Sequence, residues 1–389
     1  MKKMLGGVFL IIGTTVGAGM LSLPLITAAC GLGVTIILLI LSWSVMYVTA
    51  LKLLHLCAEH PVGVNFTTLI NKNMPRWIQQ LFIIIYLLLL YSLMSAYTTQ
   101  GASFISVLSK GNISFVPIDA FIFIIIFGTI IASFSFSDYV NRSFLSIKLI
   151  FFILAVLTMI GFFKFQYIMA FPLSFSAIIF AWPTLLPAFG FQNIVPVLYE
   201  YQNKNIAAIK KSILLGSLAV LLFYLLWTIA CLAILPQQGL HSYQTIYAHG
   251  NTLNDFIDNI KEQTHSHWIK TFLSVFINVS VITSFICSGL SLFHYIKDTF
   301  KRFNISITST TGLVLTFLPP YLFTILYPNG FILALQFASI FAVLVFVYTP
   351  IFLEKNNFYT KKNLYPIILG SLVIIAQLLN LIGLTLPYR

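Results

Sequence analysis

The chain has 389 residues, of which 59% are hydrophobic and only 8% charged. A water-soluble domain carries about a quarter charged residues, so composition excludes a soluble globular protein and requires lipid to cover much of the surface. The net charge of +12 arises from 21 bases against 9 acids, but the bases sit in short stretches between apolar runs, a placement that reads as membrane topology rather than nucleic-acid binding.

A hydrocarbon core of about 30 Å needs roughly 20 helical residues. Eleven stretches meet that requirement: 5–29, 31–54, 78–108, 118–137, 143–163, 173–200, 211–235, 268–297, 306–327, 330–350 and 363–385. They are too long and too continuously apolar for the alternating strands of a membrane barrel, so the expected class is all-α integral membrane. Lys2 and Lys3 precede the first stretch, whose end, Thr27-Ala28-Ala29-Cys30, faintly resembles a lipoprotein cleavage site. The run is too long for a signal sequence and many spans follow it, so it reads as an uncleaved helix. Gly31 and its neighbours alone divide the first span from the second.

Orientation follows from the bases. With the N-terminus in the cytoplasm, Lys2, Lys3, Lys52, Lys72, Arg76, Arg142, Lys204, Lys210, Lys211, Lys297, Lys301, Arg302, Lys355, Lys361 and Lys362 fall inside, and only Lys110, Lys164, Lys261, Lys270 and Arg389 outside. That bias predicts an N-in, C-out chain. The stretch 55–77 is then cytoplasmic, and the longest connection, 236–267, lies outside. The latter carries Asp255, Asp258, Glu262 and the histidines His241, His249, His265 and His267; its expected form is a solvated loop holding a short amphipathic helix rather than a metal site. Cys30, Cys57, Cys231 and Cys287 show neither metal nor disulfide spacing, and no cofactor is implied.

Two spans are interrupted. The first contains Gly13-Thr14-Thr15-Val16-Gly17-Ala18-Gly19 and then Pro24; the sixth contains Pro183, Pro187-Ala188-Phe189-Gly190-Phe191-Gln192-Asn193 and Pro196. Gly and Pro at this density weaken a helix in mid-membrane. Each has a packing alternative: Gly13 and Gly17 satisfy a GxxxG face, and the prolines satisfy a simple kink. The interruptions lie five spans apart, however, and an odd number of spans starts the second set on the opposite side of the bilayer. Residues 1–165 and 166–352 then form inverted repeats, with 353–389 supplying an eleventh span. Paired interruptions of this kind mark a transporter's binding site, because unwinding frees N–H groups at one half-helix start and C=O groups at another half-helix end for a zwitterion.

The segment Gly13-Thr-Thr-Val-Gly-Ala-Gly-Met-Leu-Ser-Leu-Pro24 resembles the opening of the bacterial aromatic amino acid permeases, the tyrosine- and tryptophan-specific transporters. Phe189-Gly-Phe191 with Val195-Pro196 resembles their sixth span, Asn141-Arg142-Ser-Phe-Leu-Ser-Ile-Lys148 their fifth, and Phe317-Leu-Pro-Pro320 with Tyr327-Pro-Asn-Gly-Phe331 their ninth-to-tenth turn. The resemblance runs over essentially the whole chain. It implies membership of the amino acid–polyamine superfamily and a LeuT-type 5+5 inverted repeat plus an eleventh helix, with spans 1 and 6 broken. It further implies proton symport of an aromatic amino acid in a bacterial inner membrane. Two departures stand out: family members carry a histidine and a glycine where this chain has Gln192 and Asn193, and Asn278 and His294 stand where acids are expected.

On this reading the substrate's main-chain groups meet Thr14, Thr15, Val16, Gly17, Ala18 and Gly19 in span 1 and Ala188, Phe189, Gly190 and Phe191 in span 6. Gln192 and Asn193 either bond a tyrosine hydroxyl or indole N–H, or patch the backbone freed by the break. Span 3 carries Tyr86, Tyr91 and Tyr97; Tyr97 is a candidate for stacking on an aromatic substrate, against the alternative of an ordinary core or lipid-facing ring. Lys148 in span 5 must snorkel, pair or give up its proton. The resemblance aligns it with the fifth-span lysine that occupies the sodium position in proton-coupled relatives, with Thr283 and Ser284 as the hydroxyl pair facing it. Tyrosine is the favoured cargo. The alternatives are another neutral amino acid, sodium coupling, and a membrane-embedded enzyme, for which the scattered acids provide no catalytic cluster.

Overall fold

The computed structural model describes residues 2–61, 64, 66–109, 115–132, 134–250, 252–354 and 361–388, and within these not the side chains of 2, 73, 132, 134–143, 361 and 362. Lys110, Lys355 and Arg389, and the side chains of Lys2, Asn141, Arg142, Lys361 and Lys362, therefore lie outside the described residues. Among the described residues all regular structure is helical.

The chain opens with α1 (Lys2–Thr15), α2 (Ala18–Leu21) and α3 (Leu23–Thr27), then a 3-10 turn at Ala28–Cys30 and the long α4 (Gly31–Ala58). There follow α5 (Phe66–Asn73), α6 (Arg76–Leu108), α7 (Val116–Ala132), α8 (Phe134–Met159), α9 (Phe165–Ile168), α10 (Phe175–Ala188) and α11 (Val195–Tyr201). The remainder comprises α12 (Ile206–Leu232), α13 (Tyr243–Ala248), α14 (Leu253–Thr264), α15 (His267–Arg302), α16 (Ser309–Leu326), α17 (Phe331–Ala342), a π-helical segment at Val343–Tyr348, α18 (Thr349–Leu353) and α19 (Lys361–Leu381). Among the described residues nine helical tracts are long and apolar enough to cross a membrane, and Lys3–Thr15 and Val116–Ile131 are shorter apolar helices. The first of the nine, Ala18–Ala58, is not one straight helix. Gly31 stands at φ 70°, ψ 161°, a conformation a side chain would strain, and it separates α4 from the turn before it at the expected place.

The chain divides into two compact units, and each draws on both halves of the sequence. The first comprises Met1–Tyr86, Phe171–Thr228 and Ser339–Arg389. Its centre is α4, which buries Leu39, Val45, Met46, Ala50 and Leu53 and packs against α10, α11 and α19. Polar ties stitch these helices together: Trp43 Nε1 donates to Ser217 Oγ at 3.1 Å, and Asn380 Nδ2 to the Phe180 carbonyl at 3.3 Å. Near the ends of α4 and α18, Lys52 Nζ meets Glu354 Oε2 at 2.7 Å.

The second unit comprises Leu87–Ala170 and Ile229–Ala338. Here α8 packs along α15, and α7 against α15 and α16. Aromatic rings fill the seams: Phe152 lies 5.4 Å from Phe276, Phe123 4.9 Å from Phe285, and Phe285 5.8 Å from Phe317. The expected amphipathic helix in 236–267 is present as α14, preceded by α13. Leu253, Phe256, Ile257 and Ile260 recur at helical spacing and are buried. Thr252 caps the helix by accepting from Asp255 N at 3.1 Å. Across the chain, exposed apolar side chains such as Ile37, Phe121, Ile153, Leu222 and Ile375 form the surface that a bilayer, not water, accommodates.

Candidate functional site

Both interruptions read from the sequence are present in the backbone. In the first, α1 ends at Thr15. The Thr15 hydroxyl donates to the Ile11 carbonyl at 2.7 Å, and that of Thr14 to Leu10 and Ile11 at 2.9 and 3.0 Å. Such back-bonding competes for the ladder carbonyls and bends helices. Val16 N still reaches Ile12 O at 2.8 Å. Gly17 is then fully extended, at φ −152°, ψ −154°, and α2 begins at Ala18. In the second, Pro183 and Pro187 remove two N–H donors from α10, which ends at Ala188. Phe189–Phe191 pass without regular structure into a 3-10 turn at Gln192–Ile194. Pro196 then sits in the first turn of α11, where a missing N–H costs nothing.

The two interruptions meet within the first unit. A Cβ built on Gly19 would stand 3.7 Å from the Ala188 Cα. Gly190 is tighter: a Cβ there would lie 2.9 Å from the Pro187 carbonyl oxygen and 3.2 Å from Phe346 Cε2. The Tyr224 hydroxyl of α12 lies 2.9 Å from the Thr15 carbonyl oxygen and 2.6 Å from that of Ala188, so one side chain reaches the last residue of both half-helices. Its ring packs on Phe189 at 4.8 Å between centroids. Tyr224 escaped the reading of the sequence because it lies inside the apolar run Leu-Leu-Phe-Tyr-Leu-Leu-Trp, where no spacing or neighbouring polar residue marks it.

The residues singled out from the sequence divide by environment. Thr15, Val16, Gly17 and Ala18 are buried and Gly19 half-buried, whereas Thr14 is exposed. Ala188, Phe189, Phe191 and Gln192 are buried and Gly190 half-buried, whereas Asn193 is exposed. Gln192 Nε2 donates to the Met46 carbonyl at 3.1 Å and to Thr49 Oγ1 at 3.2 Å, tying the second interruption to α4. A backbone carbonyl only accepts, so the amide nitrogen must face it. That leaves the buried Oε1 as an acceptor without a donor among the described residues.

In the second unit, Tyr97 is buried at 7% exposure and its hydroxyl hydrogen-bonds the Ser288 side chain. Lys148 is 2% exposed, which places the side chain inside the protein. Helix α8 starts at Phe134, well before the expected 143, so Lys148 stands deeper in its helix than the two turns anticipated. Helix α8 packs along α15, and Cys287 of α15, one turn on from Thr283 and Ser284, lies within electrostatic reach of Lys148. Thr283 is buried, with its hydroxyl donating to Ser280 O at 3.0 Å, and Ser284 is half-buried. His294 is exposed, its ring 5.5 Å from that of Phe293.

A family model described as the tryptophan/tyrosine permease family matches residues 1–386. Similar proteins include the tyrosine-specific transport system 1 of Haemophilus influenzae, 32% identical over 100% of this chain and 97% of its own length. The low affinity tryptophan permease of Escherichia coli is 28% identical over 88% of this chain and 85% of its own. Among solved structures, Mhp1, a nucleobase-cation-symport-1 family transporter in a closed conformation with bromovinylhydantoin bound, matches with a TM-score of 0.62 at 15% identity, covering 96% of this chain and 90% of that one. That likeness carries the fold, which is LeuT-type.

Proposed function

Since this chain belongs to the tryptophan/tyrosine permease family, a family of transporters and not of enzymes, we propose that it imports an aromatic amino acid, with tyrosine favoured, across a bacterial inner membrane by proton-coupled alternating access. The observation that carries the reading is the meeting of the two interruptions, with Gly19 against Ala188 and both half-helix ends at one hydroxyl. A zwitterion fits that chemistry. The extended backbone at Gly17, where the first interruption turns into α2, is the place for the carboxylate. The terminal carbonyls of α1 and α10 suit an ammonium. The orphaned Gln192 Oε1 is an acceptor for a phenol hydroxyl or an indole N–H.

Tyrosine is favoured because relatives matched along the whole chain carry tyrosine-specific names. In this reading the carrier crosses the membrane eleven times, N-in and C-out, residues 1–165 and 166–352 are inverted repeats, and 353–389 adds the last span. Lys148 is the proton-coupling group, with Thr283 and Ser284 near it. An ammonium enclosed to 2% exposure within a membrane protein is costly, and that cost makes protonation there sensitive to the state of the carrier. Tyr97 contributes an aromatic face for the substrate ring.

The test is uptake into proteoliposomes holding the purified chain, with an imposed inward proton gradient and a panel of labelled tyrosine, tryptophan, phenylalanine, leucine and alanine. The expected result is accumulation of aromatic substrates that collapses with a protonophore and persists without sodium. Uptake of only non-aromatic substrates, or uptake that requires sodium, refutes the reading.

A further inference from the structure

Tyr224 is fully buried in α12. Its hydroxyl faces Thr15 O at 2.9 Å and Ala188 O at 2.6 Å. Each of those residues ends a half-helix, so each carbonyl belongs to the group that a helix terminus leaves open, and each carries part of the helix's negative pole. A phenol has a single proton to donate. One carbonyl receives a full hydrogen bond while the other takes the lesser share of a three-centre bond. The ring packs on Phe189 at 4.8 Å between centroids, which holds the hydroxyl at this point.

We propose that Tyr224 is a positioning residue: it holds the two half-helix ends at one point and, with one proton for two acceptors, keeps one acceptor open to the substrate's ammonium. This rests on the reading that the interruptions bind the charged ends of an amino acid. An arriving ammonium donates to the carbonyl the phenol is not serving, and the phenol commits to the other. The ammonium, donating both to the carbonyl the phenol has released and to the phenol oxygen, then links the two ends through the phenol, so the tie between α1 and α10 is stronger in the loaded carrier than in the empty one.

The experiment varies the number of protons at position 224. Tyr224→Phe offers none, tyrosine one, and replacement of Tyr224 by 4-aminophenylalanine two, with the ring retained throughout. In proteoliposomes holding the full chain, labelled tyrosine uptake is competed with unlabelled tyrosine and with 3-(4-hydroxyphenyl)propionate, which lacks the amine. The ratio of the two inhibitory concentrations reads the amine preference. Tyr224→Phe is expected to raise that preference about tenfold while lowering maximal uptake, and 4-aminophenylalanine to lower it by a similar factor, the size of one charge-assisted hydrogen bond. A purely structural hydroxyl would weaken both competitors equally. An unchanged ratio in both variants overturns the proposal. If Tyr224→Phe does not fold, the 4-aminophenylalanine protein decides alone. An unaltered protein that shows no preference for the amine-bearing ligand overturns the underlying reading and the proposal with it. That result is distinct from a normal preference that neither replacement moves.

Discussion

Gly190→Ala is the most direct probe of the second interruption. The added Cβ would lie 2.9 Å from the Pro187 carbonyl oxygen, where an ordinary contact begins at 3.4 Å. The gap must therefore open by about 0.5 Å. The oxygen cannot yield freely, because it accepts from Gly190 N at 3.0 Å in the turn that closes α10. On the other side Phe346 Cε2 stands at 3.2 Å. Overpacking of this kind costs about 1–3 kcal/mol, and here it falls on the backbone proposed to meet the substrate. The purified variant is expected to unfold at lower temperature in a fluorescence melt, and its uptake per folded molecule to fall further than its stability. Gly19→Ala is the control: its Cβ meets Ala188 at 3.7 and 4.0 Å, ordinary contacts, and alanine favours α2 by about 1 kcal/mol over glycine. Its melt is expected to hold while its KM for substrate rises. A Gly190→Ala protein that melts and transports as the unaltered chain does would refute the account of a turn with no room.

Lys148→Met is expected to abolish proton-driven accumulation and leave substrate exchange by counterflow; accumulation that survives removes Lys148 from coupling. Gln192→Leu deletes the orphaned acceptor, and tyrosine uptake is expected to fall about 2–10-fold relative to phenylalanine, the worth of one neutral hydrogen bond; equal losses for both would show that the amide serves only as an anchor to Met46 and Thr49. Glu354→Gln breaks the ion pair with Lys52, whose side chain is 12% exposed against 32% for Glu354, and solvent at the carboxylate limits the cost to about 1 kcal/mol. The exchange Lys52→Glu with Glu354→Lys should recover the melt, and failure to recover would show that the pair is held by its surroundings rather than by charge.

The positions of the breaks were readable because their causes are local. Gly13, Gly17 and Gly19, and Pro183, Pro187 and Pro196, act on their own turns, and the helices stop at Thr15 and Ala188 as those residues dictate. The amphipathic α14 was readable for the same reason, from apolar residues at helical spacing. Less of the side-chain detail could be anticipated. Thr14 and Asn193 lie in the interrupted segments but are exposed, because the direction of a side chain around a broken helix depends on the turn taken at the break. Gln192 was open between ligand and backbone patch; its nitrogen instead holds α4, a partner 146 positions away.

By itself, the sequence determined that the protein belongs in a bilayer, that it is helical, and where two helices fail. Hydropathy, proline and glycine act over a single span and need no knowledge of neighbours. Tertiary structure alone decided that the two failures face each other, that Lys148 is enclosed, and that Tyr224 supplies one proton to both half-helix ends. Those are distances between residues far apart in the chain, and in a sequence this rich in apolar and aromatic side chains nothing local distinguishes the tyrosine that reaches two carbonyls from those that do not.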